Sequence, residues 1–211
     1  GMDGAVDLHR TARTMRETRA DVIALQEVDR LTARTGGLDE PAILGDLTGL
    51  TVAFWPTLRL EGGHFGIALA ARGDMETRFE ALDNAGVGRP HGVVVATVRG
   101  VLVMGTHLST EPAARAAEGR DLLTLVRDAR GPLVVAGDLN QSRRHLGAFG
   151  AAGLLGDGRL HPTHPSLFPM RQIDHVLAGG GARVEKSWTV KSLASDHLAL
   201  VADVEIDQAS G

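Results

Sequence analysis

Leu133-Val134-Val135-Ala136-Gly137-Asp138-Leu139-Asn140 passes from a β-branched apolar run directly into a carboxylate and an amide. The apolar part has the length and branching of a buried strand, so the polar groups emerge where strand meets loop. The construction recurs along the chain. Val22-Ile23-Ala24-Leu25 leads into Gln26-Glu27, the run from Val101 to Gly105 into Thr106-His107, and Ile173 into Asp174-His175. Ser195-Asp196-His197 stands immediately before a last apolar run that starts at Leu198. Strand ends are where a rigid scaffold presents its reactive groups.

Outward from these strings, Leu8, Ala12 and Met15 recur at helical spacing, with Asp7 near the start to favour the helix dipole. This predicts an opening helix that feeds the strand Val22 to Gln26. Arg34-Thr35-Gly36-Gly37 reads as a loop, and Pro41 as an early position of a short helix to about Leu47. Strands are expected near Thr51 to Trp55, Gly66 to Ala71, Val93 to Val98 and Val101 to Thr106, with short turns that imply antiparallel pairing. A helix from Glu111-Pro112 to about Ala129 presents Leu122, Leu125 and Val126 on one face and is stopped by Gly131-Pro132. After the strand Leu133 to Gly137 come a short helix near Arg143 to Ala152 and a proline-rich loop from His161 to Pro169. Strands near Ile173 to Leu177, Val184 to Val190 and Leu198 to Ile206 complete the chain. Helices do not alternate regularly with strands, which favours two packed sheets with helices outside over a doubly wound parallel sheet.

With 211 residues and 43% hydrophobic content, the chain suits one domain, read as residues 2–207. A net charge of -4 and a pI near 6.1 provide no broad basic field for a nucleic-acid backbone. The absence of cysteine excludes disulfides and thiolate metal sites, so a metal here takes oxygen or imidazole ligands. No apolar stretch has the roughly 20 residues that span a bilayer. The chain is therefore read as soluble; a cytoplasmic location is favoured, although the compartment is not determined by sequence. Gly1 before Met2 reads as a residue left by tag cleavage.

The polar strings have the chemistry of metal-assisted phosphate-ester hydrolysis, which must neutralise growing charge, supply a water and help a poor leaving group depart. Glu27 is the leading ligand for a hard cation such as Mg²⁺, which prefers oxygen donors and keeps several waters. A solvated loop charge is the plainer reading of Glu27 alone. Asp138 and Asn140, alternate residues at a strand end, combine a carboxylate with an amide on one side, though Gly-Asp-Leu-Asn is equally rich in turn formers. His197 can pair with Asp174, which would fix its tautomer and raise its basicity, while His175 points away. His107 is placed to donate a hydrogen bond to phosphate or a proton to the leaving oxygen. His9, His91, His145, His161 and His164 lack such context and are read as surface residues. Arg115 and Arg120 are read as a solvated helix face, and Gly62-Gly63-His64-Phe65-Gly66 as a hairpin rather than a phosphate loop.

The ordered set Leu25-Gln26-Glu27-Val28-Asp29, Gly105-Thr106-His107-Leu108-Ser109, Gly137-Asp138-Leu139-Asn140, Gln172-Ile173-Asp174-His175 and Ser195-Asp196-His197 resembles the endonuclease/exonuclease/phosphatase superfamily, from about Gly4 to Ile206. The resemblance implies an α/β fold, a four-layer α/β/β/α sandwich of two mainly antiparallel sheets (DNase I-like), and Mg²⁺- or Mn²⁺-dependent phosphoester hydrolysis. By the same resemblance Glu27 corresponds to the metal-binding glutamate, Asp196 to a metal-proximal carboxylate and Asp138 to the aspartate that prepares water. Asn140 would orient phosphate; His107 and His197 resemble the two catalytic histidines, with Asp174 paired to the second. Two departures stand out. Family members usually begin with a strand ending in an asparagine that helps hold metal and phosphate, and this sequence starts after it, at the glycine-rich Gly1 to Gly4. Ile67, within Gly66-Ile67-Ala68, stands where many phosphatase-like members carry asparagine.

The expected activity is a metal-dependent phosphodiesterase or phosphatase acting on a phosphate-ester substrate. The alternatives are a catalytically weak or inert module that binds a phosphorylated ligand, and a nuclease, which the acidic balance and 3% aromatic content do not favour. Substrate choice is expected to reside in loops such as Arg30 to Glu40 and His161 to Arg171. Without the first strand, Leu198 to Ile206 is expected to present a free edge suited to pairing with a second copy as a homodimer.

Overall fold

The computed structural model describes residues 6–207, so the expected Gly1 to Gly4 loop and the start of the domain at Met2 lie outside the described residues. In chain order the elements are α1 (Leu8–Thr18), β1 (Val22–Arg30), α2 (Glu40–Thr48), β2 (Thr51–Leu60), β3 (Gly63–Ala71), β4 (Thr77–Leu82) and β5 (His91–Val98). They continue as β6 (Val101–His107), α3 (Pro112–Asp128), β7 (Leu133–Asp138), α4 (Gly147–Ala151), β8 (Asp174–Gly179), β9 (Ala182–Val190) and β10 (Ala199–Ile206). Local chemistry starts and stops these elements as expected. Asp7 caps α1 by accepting the Arg10 backbone N–H at 3.0 Å, and Pro41 occupies the first turn of α2. Glu61-Gly62 turns β2 into β3, so the glycine cluster there is a hairpin.

Period-two alternation distributes each strand between two apolar layers. Val93 and Val95 of β5 join Leu122 and Val126 of α3 in one core, while Val94 and Ala96 face Ile67 and Leu69 of β3 in another. On the far side, Ile23 and Leu25 of β1 pack with Ala12 and Met15 of α1 and Leu44 of α2. Three apolar layers therefore separate four structural ones, helix, sheet, sheet and helix, which is the expected α/β/β/α sandwich. Leu69 and Leu122 are fully buried, and each such side chain contributes roughly 2 kcal/mol through burial.

One sheet is continuous, β4-β5-β6-β7-β8, antiparallel except for the parallel pair β6–β7 that α3 connects. Opposite it lie a three-stranded piece, β1-β3-β2, and a two-stranded piece, β10-β9. β1 and β10 each keep one edge unpaired among the described residues, and both line a cavity of about 1250 Å³. Residues from α1 and from the inner face of the continuous sheet, Val103 and Val134 among them, also line it.

Several elements depart from the sequence reading. β4 was not expected: Thr77-Arg78-Phe79-Glu80 is a polar edge strand, held by pairing with β5 and by Phe79 stacked on Trp55 at 5.8 Å. β1 runs on to Arg30 through a bulge between Leu25 and Val28. The single helix expected near Arg143 to Ala152 is a 3₁₀ turn, Arg143–His145, followed by α4.

Candidate active site

The lateral register of the continuous sheet brings three predicted residues abreast. His107 at the end of β6 is the Cα partner of Asp138 at the end of β7, and Asp138 is the partner of Asp174 at the start of β8. Gly137 permits the close approach: at φ 147° its backbone passes Thr106 so tightly that an added Cβ would stand 1.9 Å from the Thr106 carbonyl oxygen. Beyond it, Asn140 adopts φ 49° and its N–H donates to Asp138 Oδ1 at 2.8 Å. Gly-Asp-Leu-Asn is thus a turn, and it carries the two candidate side chains at its strand end.

Asn140 holds its amide inward. Its Nδ2 donates to the Leu108 carbonyl at 2.8 Å and contacts His107 Nε2 at 3.2 Å. With both amide hydrogens engaged, Oδ1 is the group left to face a reactant. His107 is buried, and burial, then the nearby Arg89 and His91, lower its pKa to about 3. The shift favours its neutral form. Behind it His91 Nδ1 meets Glu118 Oε1 at 2.8 Å, and Glu118 Oε2 accepts the Ser109 N–H at 2.7 Å. His91 is 6% exposed and Glu118 0%, so the surface reading of His91 is corrected; its partner lies 27 residues away on α3.

Asp174 and His197 pair as expected, with His197 Nδ1 donating to Asp174 Oδ2 at 2.8 Å. Burial works against the charged form of His197, but the hydrogen bond and charge of Asp174, together with Asp138 and Asp196, outweigh it and raise the pKa to about 9. Burial, then the Asp174 charge, raise Asp138 to about 7, against the pull of the Asn140 N–H and of His197. His175 faces the other way and donates from Nε2 to the Gln141 carbonyl at 2.9 Å. The bulge in β1 sets Glu27 at φ 56°, 60% exposed, with Oε1 accepting from Arg89 Nη2 at 3.0 Å. Arg89 and Arg34 both lie over the Phe65 ring, at 4.7 and 5.2 Å. Arg115 turns to the Ser109 and Thr110 carbonyls.

His161 and His164 also leave the surface class. His161 Nε2 meets Asp157 Oδ2 at 3.1 Å, and the His164 ring centroid lies 4.7 Å from that of His197. Arg89 and His164 carried no local signal, since neither follows an apolar run. The tip of the His164 loop exposes Leu167, Phe168 and Met170.

Two groups of acidic and histidine side chains among the described residues could hold a metal ion: Asp138, Asp174 and His197, and His164, Asp196 and His197. The two expected metal residues, Glu27 and Asp196, do not fall in one group, and Glu27 is in neither. The donor chemistry still fits a hard divalent cation. Asp138 is held at a raised pKa partly by Asp174 and Glu27, an excess of carboxylate charge that a cation relieves.

Over residues 3–197 the sequence matches the family model described as endonuclease/exonuclease/phosphatase family. The fold is similar to an endonuclease/exonuclease/phosphatase from Beutenbergia cavernae DSM 12333, at TM-score 0.79 and 26% identity, covering 98% of this chain and 68% of that one. It is also similar to a mannosyl-6-phosphatase from Bacteroides thetaiotaomicron VPI-5482, at TM-score 0.75 and 16% identity, covering 94% and 90%. The human Nocturnin catalytic domain with bound sulfate anion aligns at TM-score 0.67 and 19% identity, covering 94% and 86%. Comparison with curated proteins gave no match.

Proposed function

The chain belongs to the endonuclease/exonuclease/phosphatase family, and from that premise we propose that it hydrolyses phosphate esters with Mg²⁺ or Mn²⁺, as a phosphodiesterase or phosphatase. The observation that carries this reading is the juxtaposition of Asp138 with the Asp174-His197 pair, Asp138 being the register partner of Asp174 and His197 Nδ1 lying 2.8 Å from Asp174 Oδ2. A carboxylate of raised basicity beside an imidazolium is a base next to an anion donor. Asp138 takes a proton from the attacking water while Asn140 Oδ1 accepts that water's other hydrogen; the water oxygen bonds to phosphorus, the P–O ester bond opposite it breaks, and the departing alkoxide takes its proton from solvent. His197, its Nδ1 held by Asp174, donates from Nε2 to a phosphoryl oxygen whose charge grows in the transition state. His107 positions Asn140 as a neutral partner. Asp138 and Asp174 would hold the divalent cation, with Glu27 joining them once released from Arg89, and the cation would supply charge neutralisation at the phosphoryl group.

Hydrolysis of bis(p-nitrophenyl) phosphate and p-nitrophenyl phosphate tests the reading, with Mg²⁺ or Mn²⁺, with chelator, and in Asp138→Asn. Chelator-sensitive turnover that drops by about a hundredfold or more in the variant is expected. Turnover insensitive to both would overturn it. One observation favours a second reading, a phosphate-binding module without turnover: Glu27 is closed by Arg89 at 3.0 Å. Phosphate binding with no hydrolysis of either ester would select that alternative.

A further inference from the structure

The segment carrying His164 is stitched to the segment carrying His197. Ser166 N–H donates to the Asp196 carbonyl at 2.6 Å, Ser166 Oγ to the Ser195 carbonyl at 2.9 Å, and Leu198 N–H to the Thr163 carbonyl at 2.8 Å. Within its own turn, His164 N–H donates to the Arg171 carbonyl and Arg171 N–H to the His164 carbonyl, both at 3.0 Å. These bonds fix the two imidazoles side by side at the same site.

The Arg171 guanidinium settles which His164 nitrogen carries the proton. Arg171 Nη2 lies 2.9 Å from His164 Nδ1. A guanidinium only donates, so Nδ1 offers its lone pair and the single proton of a neutral ring rests on Nε2. His197 has committed its Nδ1–H to Asp174, so its outward nitrogen is also a donor. The carboxylate facing this pair, Asp196, is 67% exposed and stands 3.9 Å from His164 Nε2, beyond hydrogen-bond length. In the group His164, Asp196 and His197, the two imidazoles therefore offer two N–H bonds rather than two lone pairs. Two such donors suit an anion.

We propose that His164 is a second substrate-contacting imidazole of this site, donating from Nε2 to a phosphoryl oxygen beside His197, with Arg171 as the positioning residue that fixes its tautomer. This rests on the reading of the site as one that takes phosphate esters. It assigns to the loop between His161 and Arg171 a direct part in holding the phosphoryl group.

The test uses the full chain labelled with ¹⁵N. Long-range ¹H–¹⁵N correlations report the His164 tautomer, and inorganic phosphate is titrated in the presence of Mg²⁺. The expected result is the Nε2–H tautomer, perturbed by phosphate, with a tautomer mixture in Arg171→Met. His164→Ala should weaken phosphate binding and lower kcat/KM by about tenfold. His164→Gln, whose amide nitrogen reaches the position of Nε2, should restore most of both. An Nδ1–H tautomer in the unsubstituted protein would overturn the proposal, as would unchanged phosphate binding in His164→Ala. Turnover with no His164 effect leaves the hydrolase reading standing and removes only this one; absence of both turnover and phosphate binding removes both.

Discussion

The continuous sheet β4-β5-β6-β7-β8 and the divided layer that faces it contribute different halves of the site. From the continuous sheet come His107, Asp138 and Asp174, neighbours in direct register on adjacent hydrogen-bonded strands. From the divided layer come Glu27, at a bulge in β1, and Asp196 and His197, in the segment that leads into β10. The first group owes its spacing to the sheet itself. The second owes its position to contacts across the cleft: Glu27 to Arg89, and His197 to Asp174. On the proposed reading the base is set on the regular scaffold, while His197 is brought to it from the side whose strand edges are unpaired among the described residues.

The largest expected effect strikes the continuous sheet. Gly137→Ala places a Cβ against the Thr106 carbonyl where the backbone cannot withdraw, and should cost about 3 kcal/mol in urea unfolding. A change below about 1 kcal/mol would show that this sheet is no more rigid than its partner.

Asp174→Asn cuts the tie between the two halves. In chelator, the raised pKa of His197 contributes stability that is fully present below its ordinary value near 6.5 and lost as pH rises through about 9. The variant should therefore lose on the order of 2 kcal/mol at pH 6 and much less at pH 10, as its His197 returns toward 6.5. Unfolding midpoints across that range decide it, and a pH-independent difference would remove the ion pair as the cause. Asp138, raised to about 7 by burial and then by the Asp174 charge, makes the protein lose stability as pH rises from about 4 to 7, and less so in the variant, which lacks that charge.

Hydrogen exchange sharpens the comparison directly. Amides on the edges of β1 and β10 that are unpaired among the described residues should exchange about tenfold or more faster than those of β5, β6 and β7, which are paired on both sides. Equal protection would erase the distinction. Protection of β10 that rises with protein concentration would support pairing with a second copy.

The smallest effect is at the exposed ion pair. Arg89→Met frees Glu27 and should tighten Mg²⁺ binding by about threefold in calorimetry, because exposed pairs are worth about 0–1 kcal/mol. Weaker binding would show that Arg89 orients Glu27 rather than occupying it.

Much of this was legible before the fold was known. The alternation in Val93-Val94-Val95-Ala96 and the polar endings of Leu133 to Asn140 are local patterns, and they placed the strands and the candidate site residues. β4 was not legible, because Arg78 and Glu80 on an edge strand carry no burial pattern and Phe79 is held by Trp55, 24 residues earlier. His91, His164 and Arg89 escaped for a related reason: their roles rest on Glu118, on His197 and Arg171, and on Glu27, each brought near only by folding.

By itself the sequence determined most of the strands and helices, β4 excepted, and which strands end in carboxylate, amide or imidazole, because side-chain periodicity and turn chemistry act over a few residues. The tertiary structure alone decided that His107 is neutral, that Asp138 holds its proton to about pH 7 and that His197 stays charged to about pH 9. Desolvation and charge proximity belong to the assembled packing, in which β6, β7 and β8 lie side by side and the segment before β10 closes over them.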